Sequence, residues 1–203
     1  MDTNLDDIKH IRSMMERSSK FLSISGMSGV MAGTFAILGA ISAYFVLIGE
    51  FTFTGNILYD LILIATVVLI SAVTVGLYFS ARKAKKSNSK LWMPVTLEIA
   101  KDFSVPLVSG GLLSIILIYK DVYFMVAPCM LIFYGLGLIA AGSRTFRDVK
   151  ILGVCEIILG LTAAITVGYD LIFWGIGFGI LHIVYGILIH YKYDVKSEEN
   201  GLL

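Results

Sequence analysis

The chain has 203 residues, of which 57% are hydrophobic and 15% charged, with a formal net charge of +1. A soluble domain carries roughly 25% charged residues, so this composition excludes a water-soluble globule and points to a bilayer as the solvent. The net charge is uninformative by itself; the placement of the charges is not.

Residues 1–20 form a charged arm. Leu5, Ile8, Ile11 and Met15 recur at helical spacing, with Asp6, Lys9, Arg12 and Glu16 on other faces. This pattern predicts an amphipathic cytoplasmic helix lying in the headgroup plane or against the bundle, with Asp2, Thr3 or Asn4 at its start. Six apolar runs follow, at about 21–48, 61–81, 103–119, 122–142, 151–169 and 171–191. Each approaches the ~20 residues that cross ~30 Å of hydrocarbon. The first run exceeds a signal-peptide core and reads as an uncleaved span. Residues 192–203 are expected to be a cytoplasmic tail.

Lys and Arg fall in alternate gaps. Lys9, Arg12, Arg17 and Lys20 precede the first run. Arg82, Lys83, Lys85, Lys86, Lys90 and Lys101 follow the second, Arg144, Arg147 and Lys150 follow the fourth, and Lys192 and Lys196 follow the sixth. The opposite gaps hold Lys120 alone. Basic residues stay on the cytoplasmic side, which predicts six spans with both termini inside. The expected fold is all-α: a polytopic membrane protein of three αα-hairpins with amphipathic helices on the cytoplasmic face.

Local signals refine this. After the basic stop at 82–86 and a turn at Ser87-Asn88-Ser89, Trp92 and Pro94 predict a short interfacial helix leading into the third span. Pro106 and Pro128 are expected to bend the third and fourth spans. The external turns read Tyr59-Asp60-Leu61-Ile62, Tyr119-Lys120-Asp121-Val122 and Tyr169-Asp170-Leu171-Ile172. Each Asp is placed to cap the next helix. An old duplication and convergence both account for the likeness. Gly29-x-x-x-Gly33 allows close backbone approach and is expected to pack inside the bundle rather than in a dimer.

Charges in lipid cost at least ~2.5–3.5 kcal/mol on insertion scales, so Glu156 and His182 are the candidate intramembrane polar pair. The tight turn between their spans predicts a hydrogen bond between them. It serves either as a structural clasp or, because His titrates near neutrality, as a proton relay or cation site. Glu156 could alternatively reach Arg147 or Lys150. Glu98, Lys101 and Asp102 read as a solvated or self-paired face. His182 and His190 are too far apart on one helix to hold one metal ion. Cys129 and Cys155 read as small packing residues, and no metal or cofactor set is apparent. Arg82, Lys83, Lys85 and Lys86 form a basic cluster suited to anionic lipid; it is too small and juxtamembrane for nucleic acid.

The stretch Ile11-Arg12-Ser13-Met14-Met15-Glu16-Arg17-Ser18-Ser19-Lys20-Phe21, running into Ser25-Gly26-Met27-Ser28-Gly29, resembles the start of an uncharacterised family of bacterial six-span integral membrane proteins. Leu152-Gly153-Val154-Cys155-Glu156, then Phe173-Trp174-Gly175-Ile176-Gly177-Phe178-Gly179 through His182 to Tyr185-Gly186, is similar to the same family. The hairpin layout also resembles, more loosely, the acid-resistance membrane protein (HdeD-like) family. These resemblances imply an inner-membrane location and transfer no site.

The leading expectation is a non-enzymatic bacterial inner-membrane protein, stress-associated or regulatory, binding a protein partner or lipid at its cytoplasmic face. The alternative is a small-solute or proton-linked transporter using Glu156 and His182. An intramembrane enzyme ranks third, for want of a nucleophile–base pair.

Overall fold

In hydrocarbon every backbone N–H and C=O must bond within the protein, and a helix does this within one segment. The computed structural model of the chain describes residues 25–86 and 94–195, and it is helical almost throughout. The helices are α1 (Gly26–Leu47), α2 (Ile57–Lys86), α3 (Pro94–Tyr119), α4 (Val126–Ala141, entered by a tight turn at Tyr123–Met125), α5 (Arg147–Ile165) and α6 (residues 170–195). Five stretches, Gly26–Leu47, Ile57–Lys86, Pro94–Tyr119, Tyr123–Ala141 and Asp170–Tyr193, are long and apolar enough to cross a membrane. The chain is therefore a multi-pass α-helical membrane protein. α5 is less apolar because it carries Arg147, Asp148, Lys150 and Glu156. The expected arm at 1–20, Ser87-Asn88-Ser89, Trp92 and residues 196–203 lie outside the described residues.

Several expected boundaries are corrected. α2 begins at Ile57, not 61, and continues to Lys86, so the basic cluster is its last turns rather than a loop. Lys side chains suit a helix C-terminus, where they meet the negative end of the dipole. α3 absorbs the expected interfacial helix into one 26-residue helix that continues through Pro106. Pro128 occupies the first turn of α4, where a missing N–H removes no helical bond, so it is no mid-span kink. α5 ends at Ile165, and residues 166–169, with Gly168 at φ +96°, form the turn expected at 170 alone.

The three external Asp residues also diverge. Asn56 caps α2, its Oδ1 accepting from the backbone N–H of Leu58 (3.0 Å) and Tyr59 (3.3 Å). Asp60 instead reaches back to residues 52–54. It accepts from the Thr52 hydroxyl, the Phe53 and Thr54 N–H groups and the Thr54 hydroxyl. Asp121 adopts a left-handed backbone (φ 58°) and accepts from the Tyr123 hydroxyl. Asp170 opens α6 from within its first turn. One sequence pattern thus supports three different structures.

Packing extends beyond the expected hairpin pairs. α1 lies between α2 and α6, and α4 lies between α3 and α5, while α5 meets α6 over a smaller area. Glycine sets both tight seams. A Cβ on Gly26 would collide with the backbone of His190 and Gly186, and one on Gly33 would meet the Gly179 carbonyl at 2.5 Å. Gly135 and Gly153 face each other across α4 and α5. Gly29 and Gly33 therefore pack inside the chain, against α6. Hydroxyls on exposed faces, such as Ser42, Thr66 and Ser109, bond the carbonyl four residues back, which spares the apolar solvent an open donor.

One end of the bundle gathers the charges. Arg144 bonds Glu98 (2.7 Å) and Asp102 (3.0 Å). Asp148 accepts from Lys192 with both oxygens and from the Tyr193 hydroxyl at 2.9 Å. Tyr193 stacks on Phe146, and Lys83 lies 6.0 Å from the same ring. At this end the turn between α4 and α5 is tied to α2, α3 and α6.

Candidate functional site

α5 turns Glu156 inward between Gly135 on α4 and Gly177 on α6. A Cβ at Gly177 would lie 2.6 Å from Glu156 Oε2 and 2.5 Å from Leu131 Cδ2. Glycine is thus what makes room for the carboxyl group. Glu156 is fully buried, nine residues into α5, or about 14 Å along it at ~1.5 Å per residue. His182 faces it from α6, with its Nδ1 3.5 Å from Glu156 Oε1.

The predicted pair is therefore brought together, but the predicted hydrogen bond is not formed. His182 Nδ1 lies 2.9 Å from the carbonyl oxygen of Gly177. A carbonyl only accepts, so Nδ1 carries the hydrogen and donates it there. Nε2 of the neutral ring is then an acceptor, and the Tyr134 hydroxyl donates to it at 2.8 Å. Both hydrogen-bonding positions of the imidazole are taken. Both Glu156 oxygens are left without a hydrogen-bond partner among the described residues, and neither Arg147 nor Lys150 reaches them.

The backbone of α6 contributes as well. Residues Gly175–Leu181 form wide π-type turns, followed by α-helical His182–Ile189. Such turns are rare and concentrate at functional positions. Here they leave the Gly177 carbonyl within reach of a side chain five residues later.

Tyr134 is the residue that sequence reasoning missed. Its position in the middle of the fourth apolar run was the available signal: a buried phenol needs a hydrogen-bond partner. Its ring also packs edge-on against Phe103 and Phe178, which fixes the hydroxyl toward His182.

Other predicted residues lie elsewhere. Arg82, Lys85 and Lys86 are exposed at the charged end, and Lys83 is half-buried beside Phe146. Glu98 and Asp102 form a paired face through Arg144. Cys129 is buried against α3, its thiol 3.7 Å from the Gly110 carbonyl. No group of three His, Cys, Asp or Glu side chains able to hold a metal occurs among the described residues.

Comparison of the chain with protein-family models, curated proteins and solved structures finds no match in any of the three. The likeness to the first bacterial family rests on the residues quoted above alone, and that to the acid-resistance family on hairpin layout alone.

Proposed function

We propose that this is a six-span bacterial inner-membrane protein with both termini cytoplasmic, in which Glu156 takes up and releases a proton to drive movement of a small solute. One observation carries the reading: a fully buried carboxyl group with neither oxygen hydrogen-bonded, set beside a histidine and a tyrosine that are bonded to each other. A group required only for packing would be better satisfied, since an unpaired buried polar group costs about 1–3 kcal/mol. Intramembrane acids of this kind mark proton and ion pathways. The orientation rests on the basic residues gathered at one end of the bundle. α5 serves as the sixth crossing, its charged first turns lying at the headgroups and its Glu156 facing protein.

The expected order of the two readings is thereby exchanged. The leading expectation places the activity at the cytoplasmic face, whereas Tyr134 and the Gly177 carbonyl add polar chemistry inside the bundle beside Glu156. A partner- or lipid-binding role remains as a second reading. It is favoured by the exposed Arg82, Lys85 and Lys86 on the last turns of α2.

The test uses proteoliposomes with an imposed pH gradient and an internal pH dye. Low-molecular-mass fractions of a bacterial cell extract serve as solute probes. At least one fraction should collapse the gradient faster with the wild-type protein than with Glu156→Gln. Equal collapse with every fraction would overturn the reading.

A further inference from the structure

One hydrogen in the site has two acceptors close to it. His182 Nδ1 donates to the Gly177 carbonyl at 2.9 Å and stands 3.5 Å from Glu156 Oε1, which has no hydrogen-bond partner among the described residues. An ionised carboxylate is a much stronger acceptor than a carbonyl, and its bonds from N–H donors are short, about 2.7–2.9 Å. A carboxylate beside this N–H would therefore capture it. The observed arrangement is the one expected of Glu156 as a neutral acid.

The other acceptor belongs to the backbone. In an ordinary α-helix the Gly177 carbonyl takes the N–H of Leu181, four residues on. Here the turns at Gly175–Leu181 are wide, and the carbonyl accepts from a side chain five residues on.

We propose that the His182 Nδ1–H is a two-position switch coupling the charge of Glu156 to the backbone of α6. It lies on the Gly177 carbonyl while Glu156 is protonated. It moves to Glu156 Oε1 when the acid ionises, and the released carbonyl lets the wide turns tighten to α-helix. This rests on the proton-linked reading above and adds to it the part that moves.

The imidazole keeps its tautomer throughout. Its ring turns about Nε2, which the Tyr134 hydroxyl holds at 2.8 Å, and Nδ1 closes on Oε1 by about 0.6–0.8 Å. Glycines at 175, 177 and 179 leave the backbone free to change. Gly179 lies against Ile37 of α1, and Gly175 against Ala40. Tightening therefore shifts the seam with α1 and moves Asp170–Trp174 relative to His182.

The titratable groups around the switch are few. α4 presents Tyr134, already bonded to Nε2, and Cys129, turned to the Gly110 carbonyl of α3. α6 adds Asp170 at its start and Tyr185, which packs on Phe146, Val149 and Ile189 toward the charged end. α5 itself carries Cys155, half-buried, and at the charged end Arg147, Lys150 and Asp148, the last held by Lys192. α1 carries no ionisable side chain from Gly26 to Ala43.

The experiment is solid-state NMR of the full chain in lipid vesicles. Gly177–Phe178 is the one Gly-Phe step in the sequence, so isotope labels on glycine carbonyl carbon and phenylalanine nitrogen select the Gly177 carbonyl. The Glu156 carboxyl signal is assigned by its loss in Glu156→Gln. In a pH titration the Gly177 carbonyl should shift with the same midpoint as the Glu156 carboxyl. In Glu156→Gln it should stay fixed at its low-pH position. In His182→Phe, which keeps a ring and removes the N–H, Glu156 should still titrate while Gly177 stays fixed. If His182→Phe fails to fold, Glu156→Gln decides. A Gly177 carbonyl that stays fixed while wild-type Glu156 ionises would overturn the switch and leave the proton-linked reading standing. So would one that still moves with pH in Glu156→Gln, which would assign the movement to His182 itself. A wild-type Glu156 carboxyl that never changes with pH would overturn both.

Discussion

Glu156 Oε1 lies 3.5 Å from His182 Nδ1, yet the hydrogen on that nitrogen belongs to the Gly177 carbonyl. The two side chains are neighbours without being partners. A clasp and a proton site therefore make opposite stability predictions. Glu156→Leu should raise thermal stability in detergent by about 1–3 kcal/mol, the cost of an unpaired buried polar group, while abolishing the proton response. A fall in melting temperature would mean that the carboxyl group holds the bundle together.

Glycines at the seams and glycines on open faces should behave differently. Gly26→Ala drives a methyl group into the backbone of α6, and Gly177→Ala drives one into Glu156 and Leu131. Each should cost about 1–3 kcal/mol, as overpacking does. Gly76 and Gly111 have nothing within 4 Å of an added Cβ. Their Ala variants should melt within about 1 kcal/mol of wild type or slightly above it. Detergent melts of the four variants check the contrast.

Asp148 should make the charged end sensitive to acid. Burial by itself would raise its carboxyl, but hydrogen bonds from Lys192 and Tyr193, and the Lys192 charge, hold it below the usual value. A depressed folded-state pKa gives stability that is fully present above the unfolded value of about 3.9 and is lost as pH falls through the folded one. Melting temperature measured downward from pH 6 should therefore fall less steeply in Asp148→Asn than in wild type. Identical slopes would show that the Lys192 contact adds nothing in solution.

Asp60 anchors the opposite end. Its oxygens accept four hydrogen bonds from residues 52–54. Asp60→Ala should release that loop and lower the melting temperature, with faster amide exchange at Phe53 and Thr54. Asn56→Ala should instead fray the start of α2, whose Leu58 and Tyr59 amides it caps. Hydrogen exchange resolved by residue separates the two effects.

The basic turns of α2 should hold anionic lipid. Each exposed Lys or Arg near a negative surface contributes about 1 kcal/mol. Replacing Arg82, Lys85 and Lys86 together with Gln should cut the anionic lipid that co-purifies in mild detergent several-fold, with neutral lipid unchanged. No change in the lipid profile would count against the second functional reading.

Much of this was legible from residue order. Apolar runs located five helices long and apolar enough to cross a membrane, and the basic gaps located the charged end, because lipid permits few alternatives. Glu156 and His182 stood out because charge in hydrocarbon is costly. Helix ends were less legible: Arg82 to Lys86 read as a loop by polarity, although Lys and Arg are good helix formers. The partners of α5 and α6 could not be read, since a short turn suggests adjacency but glycine seams decide which surfaces fit. Asp60, Asp121 and Asp170 misled because a carboxylate near a helix start serves a loop as readily as a cap. The occupied state of His182 depends on wide turns at Gly175–Leu181, for which a glycine-rich stretch is only a hint.

The seam between α1 and α6 also constrains assembly. The first helix described in the chain has its principal mate in the last, so ribosomal synthesis separates the two halves of that contact by nearly the whole polypeptide. Until α6 emerges, the face of α1 that bears Gly26, Gly29 and Gly33 must stay in lipid or under a chaperone. Truncation before residue 170 would therefore leave a nascent product that never closes, a natural target for membrane proteolysis.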